Sequence, residues 1–326
     1  MTSTTKPDSA ALEQGFEEYR RELAAYCYRM LGSAFEADDA VQETLVRAWR
    51  SFDSFEGRAA LRSWLYRIAS NVCFDMLKGR RRRAMPIDMV GPGRGDGVAG
   101  ARLPENVWVG PIPDATITAA TDDPAERAVA REAVRLAFVA ALQHLPARQR
   151  AVLILREVLK WKASEVAELL DTTVTSVNSA LQRARATLAE SNLSASDAAE
   201  PNNEAQQELL ARYVDAFERF DVDAMVALLH EDATMMMPPY PLWLRGADEY
   251  GKWLRGSGSG CEGSKLAPIS ANGMPGFAQW RANPDGGHDA WSIHLLEISD
   301  GCITGIDFFV DPNLFALFGL PTRLDS

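Results

Sequence analysis

Residues 164–188 read SEVAELLDTTVTSVNSALQRARATL. Two helical periods flank a turn. In the first, Val166, Ala167, Leu169 and Leu170 form an apolar face behind Ser164, a good N-cap followed by Glu165. Asp171–Val174 make the turn, and Thr175 is expected to cap the second helix. There Val177, Ala180, Leu181, Ala184 and Leu188 share one inward stripe, while Thr175, Ser176, Asn178, Ser179, Gln182 and Arg183 face out. This is the layout of a helix-turn-helix, whose second helix enters the major groove with its N-terminal residues at base edges. Asn and Gln side chains pair with adenine, and Ser or Thr with several partners. Arg183 and Arg185 suit phosphates. The plain alternative is the solvated face of a small helical bundle.

Charge argues against DNA until it is divided along the chain. The 326 residues carry a formal net charge of −11. Residues 1–200 hold 26 Lys+Arg and 27 Asp+Glu, whereas residues 201–326 hold 8 and 18. The acidity therefore belongs to the C-terminal third, and local basic clusters govern phosphate contact more than whole-chain charge does. No apolar run reaches the ~18–20 residues of a membrane span, and the N-terminus lacks a basic-then-apolar signal. A cytoplasmic protein is expected. Cys27, Cys73, Cys261 and Cys302 make no zinc-type spacing, so no metal site is expected, and Cys27 and Cys73 read as small buried hydrophobes.

Upstream, Asp38–Trp49 places Val41, Leu45, Ala48 and Trp49 on one face and Asp38, Asp39, Gln42 and Glu43 on the polar side. A break at 51–58 precedes a helix carrying Leu61, Trp64, Leu65, Ile68, Val72 and Met76, which runs into LKGRRRR at 77–83. Residues 84–124 are rich in Gly and Pro without helical period, and so read as an interdomain linker whose apolar end (Val107, Trp108, Val109, Ile112) docks on something. Residues 125–190 are helical again, with Asp123-Pro124 as a start and Leu145-Pro146 as a break. After a polar linker at 191–203 the pattern changes class. Leu209, Tyr213, Ala216, Phe217 and Phe220 define an amphipathic helix, Asp223–His230 a short second one, and WSIHLLEIS-DG-CITGIDFFV (291–310) a β-hairpin. The last domain is α+β.

Three stretches together resemble an extracytoplasmic-function (ECF) sigma factor of the sigma-70 family. They are EADDAVQETLVRAWRSFDSFEG (36–57) with LRSWLYRIASNVCFDMLKGRRRR (61–83), LQHLPARQRAVLILREVLKWKASEVAELL (142–170), and TTVTSVNSALQRAR (172–185) with its continuation. The resemblance implies a multi-domain fold: an all-α region 2 at 11–83, a linker at 84–124, and an all-α region 4 with the helix-turn-helix at 125–190. Region 2 would bind the clamp of core RNA polymerase and the −10 element; region 4 would bind the flap and the −35 element. Asp38, Asp39, Gln42 and Glu43 match the polymerase-binding helix. Phe55 and Arg58, in the loop region, match where the family captures a flipped base, and Asn71 and Asp75 match its DNA-facing helix. Lys78, Arg80, Arg81, Arg82 and Arg83 would hold phosphates. Asn178 and Ala180 stand where the family commonly has a basic residue, and Asp171 and Thr173 replace its usual glycine and proline.

Residues 204–326 resemble the SnoaL-like, ketosteroid-isomerase-like cone fold, as in ECF subfamilies that carry such a domain in intramolecular contact with the sigma domains. His230, Asp232, His294 and Asp307 are its polar acid–base candidates; Met235, Met237, Tyr240, Trp243, Trp280 and Trp291 are candidate pocket residues. A regulatory contact with the sigma domains is preferred to ligand sensing, and ligand sensing to catalysis. The chain thus reads as a promoter-recognition subunit with no catalytic residues and no cofactor. The alternative is a helix-turn-helix regulator with a ligand-binding domain, which would have no need of residues 36–83.

Overall fold

The computed structural model describes residues 9–52, 61–117, 132–190 and 204–325. It forms two compact units, each assembled from separate stretches of chain: residues 1–83 with 114–193, and residues 84–113 with 194–326.

The first unit is helical. Helix α1 (Ser9–Leu31) ends at Gly32, whose φ of +73° suits a glycine helix stop and whose N–H closes on Tyr28 O at 2.7 Å. A Cβ there would also press on Gln143 and Arg83 at 3.2–3.3 Å. Ser33 then caps α2 (Ala34–Ser51) by accepting from the Glu36 N–H. The buried stripe of α2 is Ala34, Ala37, Ala40, Val41, Thr44 and Ala48. Trp49, expected on that face, is 50 % exposed. Eight residues from Val41, it falls at the border of the stripe, where a large side chain swings outward. Helix α3 (Leu61–Leu77) packs Leu65, Tyr66, Ala69, Val72 and Cys73 inward, and the Tyr26 hydroxyl meets Ser70 Oγ at 2.7 Å. Cys27 and Cys73 are buried free thiols, and the hydrogen bond to Cys27 together with burial pushes the Cys73 thiol up. The expected helix start at Asp123-Pro124 lies outside the described residues.

Short α4 (Asp114–Ile117) is followed by α5 (Leu136–Leu142), α6 (Ala147–Leu153, continued to Val158 by a wider π turn), α7 (Ala163–Leu169) and α8 (Val174–Glu190). Helix α7 starts one residue before Ser164, and the Glu165 carboxylate caps it by accepting from Lys162 N–H at 2.6 Å. Thr173 rather than Thr175 caps α8, accepting from Ser176 N–H at 3.1 Å. Asp171 has φ +49°, a left-handed turn that Asp tolerates better than most side chains. The chain thus meets the turn's backbone demand without glycine, and Thr173 supplies a cap where proline could only fix φ.

In the second unit, α9 (Glu204–Glu218) and α10 (Val222–Ala227) precede a seven-stranded sheet in the order β2-β1-β6-β5-β4-β3, with β7 paired to β5. The strands are β1 (Leu229–Met236), β2 (Trp243–Arg245), β3 (Lys265–Ala271), β4 (Met274–Ala282), β5 (His288–Ser299), β6 (Cys302–Phe309) and β7 (Arg323–Leu324). Helix α11 (Ala247–Arg255) follows β2, and α12 (Leu314–Leu317) follows β6. Only β1 and β6 pair in parallel among the described strands. The hairpin turn is Asp300-Gly301, both at positive φ, as a two-residue type I′ connection requires. Register shifts at Gln279/Trp280 and Glu297/Ile298 bend β4 and β5, which curves the sheet. The concave face and the helices enclose Leu209, Tyr213, Phe217, Met225, Leu244, Tyr250, Phe277, Leu296 and Phe308.

Residues 84–113 lie along this second unit as a strap. Trp243 Nε1 donates to Val90 O (2.8 Å), Gly93 N to Trp243 O (2.7 Å), Gly95 N to the Glu249 carboxylate (2.6 Å) and Leu103 N to Pro239 O (2.9 Å). Ile112 and Asn272 exchange two hydrogen bonds at 3.0 and 3.1 Å, beside a bridge between Pro113 and Ala271. The glycines make this approach possible. A Cβ on Gly95 would sit 2.1 Å from Glu249 O, and one on Gly93 would sit 2.8 Å from Leu242 Cδ1.

Candidate nucleic-acid interface and C-terminal cavity

Along α2, Asp38, Asp39 and Gln42 are exposed and Glu43 is half-buried. Gln42 Nε2 donates to Asp38 at 2.7 Å. Arg47 pairs with Glu43 (2.7 Å) and with Asp75 of α3 (3.0 Å), and these two carboxylates, Glu43 first, hold its guanidinium more firmly protonated. The DNA-facing candidate Asp75 is therefore tied to the opposite candidate surface through one arginine. Beside the acidic residues, Val46 and Trp49 are 42 % and 50 % exposed. Sequence reasoning placed Trp49 in the core and so missed this apolar extension of the acidic face.

Asn71, Lys78, Arg80, Arg81 and Arg82 are exposed, but the basic cluster is not uniform. Arg83 is buried (7 % exposed) and pairs with Glu36 at 2.9 Å; Arg80 pairs with the same carboxylate. Arg82 Nη1 meets His144 Nδ1 at 2.9 Å. Lys78 and Arg81 carry no such partner among the described residues. Phe55 and Arg58 lie outside the described residues. On α8, Thr175, Ser176, Asn178, Gln182, Arg183 and Arg185 are exposed and Ser179 is half-buried. Arg185 is paired with Glu157 and Ser176 accepts from Thr173 Oγ1 at 2.9 Å, which leaves Thr175, Asn178, Gln182 and Arg183 as the outward row.

These surfaces share one compact unit because α3 docks on the helix-turn-helix half. The Tyr66 and Trp161 rings lie 5.1 Å apart, Arg62 stacks over Trp161 at 5.1 Å, and Arg67 Nη2 donates to Glu168 O at 3.1 Å. Arg150 is buried, and its guanidinium donates to Met30 O, to both the side chain and backbone oxygens of Gln143, and to Leu145 O. Arg29 donates to Ala133 O at 2.9 Å. Burial brings both guanidinium groups down to about 10, still fully charged near neutral pH.

The second unit contains a cavity of ≈ 230 Å³. Of the six expected pocket residues, Met235, Met237, Tyr240 and Trp291 line it. Trp243 instead donates to Val90 O, and Trp280 packs on Phe315 and donates to Pro321 O. Gln279 and Ser292 supply polar groups in the wall, and His294 stands behind them. His294 is fully buried, which brings its imidazole down to about 3 and keeps it neutral. Its partners are Tyr213 at Nδ1 (3.2 Å), and Gln279 Oε1 (2.9 Å) and Ser292 Oγ (3.0 Å) at Nε2. Ser292 also donates to Gln279 Oε1 at 2.7 Å, and Gln279 Nε2 donates to Ser264 Oγ at 2.8 Å. The acceptor at Gln279 Oε1 places the proton on Nε2, so Nδ1 accepts from the Tyr213 hydroxyl.

The four acid–base candidates are not brought together. Phe308 lines the cavity, so Asp307, next along β6, projects from the opposite face. Burial, and secondarily Glu297, pushes the Asp307 carboxyl up. His230 and Asp232 are exposed on β1; His230 is the second residue of that strand rather than the end of a helix, because α10 stops at Ala227. Among the described residues no group of three or more His, Cys, Asp or Glu is placed to hold a metal ion, and no helix is long and apolar enough to cross a membrane.

Family models match this layout in order: Sigma-70 region 2 at residues 16–83, Sigma-70 region 4 at 135–188, and a SnoaL-like domain at 210–306. The chain is 43 % identical over 314 residues to the ECF RNA polymerase sigma factor SigG of Mycobacterium tuberculosis, covering 94 % of this chain and 83 % of that one. It is 28 % identical over 317 residues to the ECF RNA polymerase sigma factor SigJ of the same species, covering 92 % of each. The crystal structure of M. tuberculosis SigJ has the same fold, with a TM-score of 0.58 at 23 % identity over 95 % of this chain and 99 % of that one.

Proposed function

The chain belongs to the ECF RNA polymerase sigma factors, which direct promoter recognition, and on that premise we propose how its surfaces divide the work. The exposed face of α2 docks on the polymerase clamp. The observation that carries this is the pairing of exposed carboxylates at Asp38 and Asp39 with two exposed apolar side chains, Val46 and Trp49, on one helix. Acidic residues alone would suit solvent; a half-exposed tryptophan beside them suits the centre of an interface, where Trp anchors concentrate binding energy. Lys78 and Arg81 hold promoter phosphates near the −10 element, together with Asn71 on the same helix. Thr175, Asn178 and Gln182 read base edges of the −35 element, and Arg183 holds its backbone.

The −10 and −35 elements are about 25 base pairs apart, roughly 85 Å at 3.4 Å per pair. Regions held together by Tyr66–Trp161 and Arg67–Glu168 contacts cannot reach both at once, so promoter engagement requires these contacts to part. The C-terminal domain tunes that opening through binding rather than turnover. A histidine held neutral down to about 3 and saturated with hydrogen bonds is too weak a base for work near neutral pH. The protein acts in the cytoplasm, where core polymerase is found.

Run-off transcription with purified core polymerase tests the proposal. Wild-type protein should yield a promoter-dependent transcript, and the double variant Asp39→Ala, Trp49→Ala should bind core about 30-fold more weakly while melting at the wild-type temperature. Undiminished core binding by the variant would remove α2 as the clamp surface.

A further inference from the structure

We infer that Val174 is a base-reading residue, its methyl groups packing on the 5-methyl group of a thymine in the −35 element, one helical turn ahead of the base pair met by Asn178. Its role presupposes that α8 is the −35 helix. An exposed valine needs no explanation on an ordinary surface. This surface is not ordinary. Among the described residues of 132–190, Val174 is the one exposed large apolar side chain, at 43 %. It is also the first residue of α8, at the end that a helix-turn-helix brings to base edges.

The local fold gives this valine no part in starting the helix. Proline or an acidic residue suits a first turn better, and a β-branched side chain lowers helix propensity. Capping falls to Thr173, whose Oγ1 accepts from the Ser176 N–H at 3.1 Å and donates to Ser176 Oγ at 2.9 Å. Those two hydroxyls are spent on each other. Val174 also lies off the buried stripe of α8, which is Val177, Ala180, Leu181 and Ala184.

Its place on the helix puts it in line with the base readers. Val174, Asn178 and Gln182 follow one another at four-residue intervals and all are exposed, so they form one row that drifts by about 40° per step. Each step is about 6 Å along the axis, close to two base-pair rises of ~3.4 Å. Val174 therefore meets a base pair about two steps from the one met by Asn178. There the side chain decides the letter. An isopropyl group neither donates nor accepts, so it gains nothing from phosphates or from the polar edges of guanine, cytosine and adenine. Thymine alone adds a methyl group to the major groove. Valine is also stiff at χ1 in a helix, so its methyl groups are held in position before DNA arrives.

The experiment uses the full chain with purified core polymerase and a pool of promoter duplexes randomised across the −35 region. The sequences retained by wild-type holoenzyme should contain a thymine column about two base pairs from an adenine column. Val174→Ala should flatten the thymine column alone, and Asn178→Ala the adenine column alone. On the best retained duplex, exchanging that thymine for uracil removes one methyl group and keeps every base-pair hydrogen bond. Wild type should bind the uracil duplex roughly three- to fivefold more weakly, the worth of one buried methyl group, and Val174→Ala should bind both duplexes alike. The uracil exchange needs no variant, so equal binding by wild type at every thymine of the motif overturns the role of Val174 even if Val174→Ala melts early. Thymine preference retained in Val174→Ala, or weaker core binding with base preference unchanged, overturns it as well. A motif that responds to Asn178→Ala and not to Val174→Ala sinks Val174 and leaves α8 as the −35 helix; a pool with no −35 motif overturns both.

Discussion

Lowering pH should destabilise the C-terminal unit through one residue. His294 is fully buried and burial brings its imidazole from 6.5 to about 3. In the unfolded chain the ring takes a proton as pH falls through 6.5; in the folded protein it stays neutral to about 3. Its contribution is therefore complete above pH 6.5 and is lost as pH falls toward 3. At pH 5 the unfolded state has gained about 1.5 pH units of protonation free energy, or roughly 2 kcal/mol at 1.36 kcal/mol per unit. Asp307 acts in the opposite sense, since its raised carboxyl favours the protonated folded form as pH falls. A His294→Gln variant keeps Asp307, so the difference between the two proteins isolates the histidine. Thermal unfolding followed by tryptophan fluorescence at pH 7.5 and 5.0 is the assay. Wild type should lose roughly 6–8 °C more than the variant between the two pH values, taking ~3–4 °C per kcal/mol for a domain of this size. Equal losses would refute a neutral, proton-excluding His294.

The turn of the helix-turn-helix and the basic cluster give two further expectations. Asp171→Val should lower stability by about 1–2 kcal/mol in a denaturant melt, because a β-branched residue resists φ +49°, whereas Asp171→Gly should not. Lys78→Gln and Arg81→Gln should each reduce the salt slope of promoter binding by about one unit, measured by anisotropy across a salt series. Arg83→Gln should instead lower the melting temperature, since that side chain is buried against Glu36.

Much of the helical half was legible because its apolar residues repeat strictly. The stripe Val177, Ala180, Leu181 and Ala184 is buried as its spacing predicts. The ends were less legible. Thr173 and Thr175 are equally good caps in sequence, and the choice depends on which hydroxyl meets the Ser176 N–H. Trp49 was misplaced because periodicity alone cannot tell the edge of a stripe from its centre. Glycines in 91–97 signal flexibility and close approach with the same letters; what decides is Glu249, 154 positions after Gly95. In the cavity, aromatic and methionine residues near β1 and β5 were visible candidates. Tyr250, Gln279 and Ala99 were not, because no motif marks a helix tyrosine, a strand glutamine and a strap alanine as neighbours.

The strap also fixes an order of events during synthesis. Residues 84–113 leave the ribosome early, yet their partners follow at separations of 136–160 residues, from Pro239 to Asn272. At ~5–20 residues per second the strap waits roughly 7–30 s without its binding face. During that interval α1–α3 and the helix-turn-helix half can assemble around a loose connector. The nascent chain thus passes through a stage in which the two helical halves of the first unit can form while the segment joining them is still unclaimed, until β2, α11 and the β3–β4 turn emerge to draw it in.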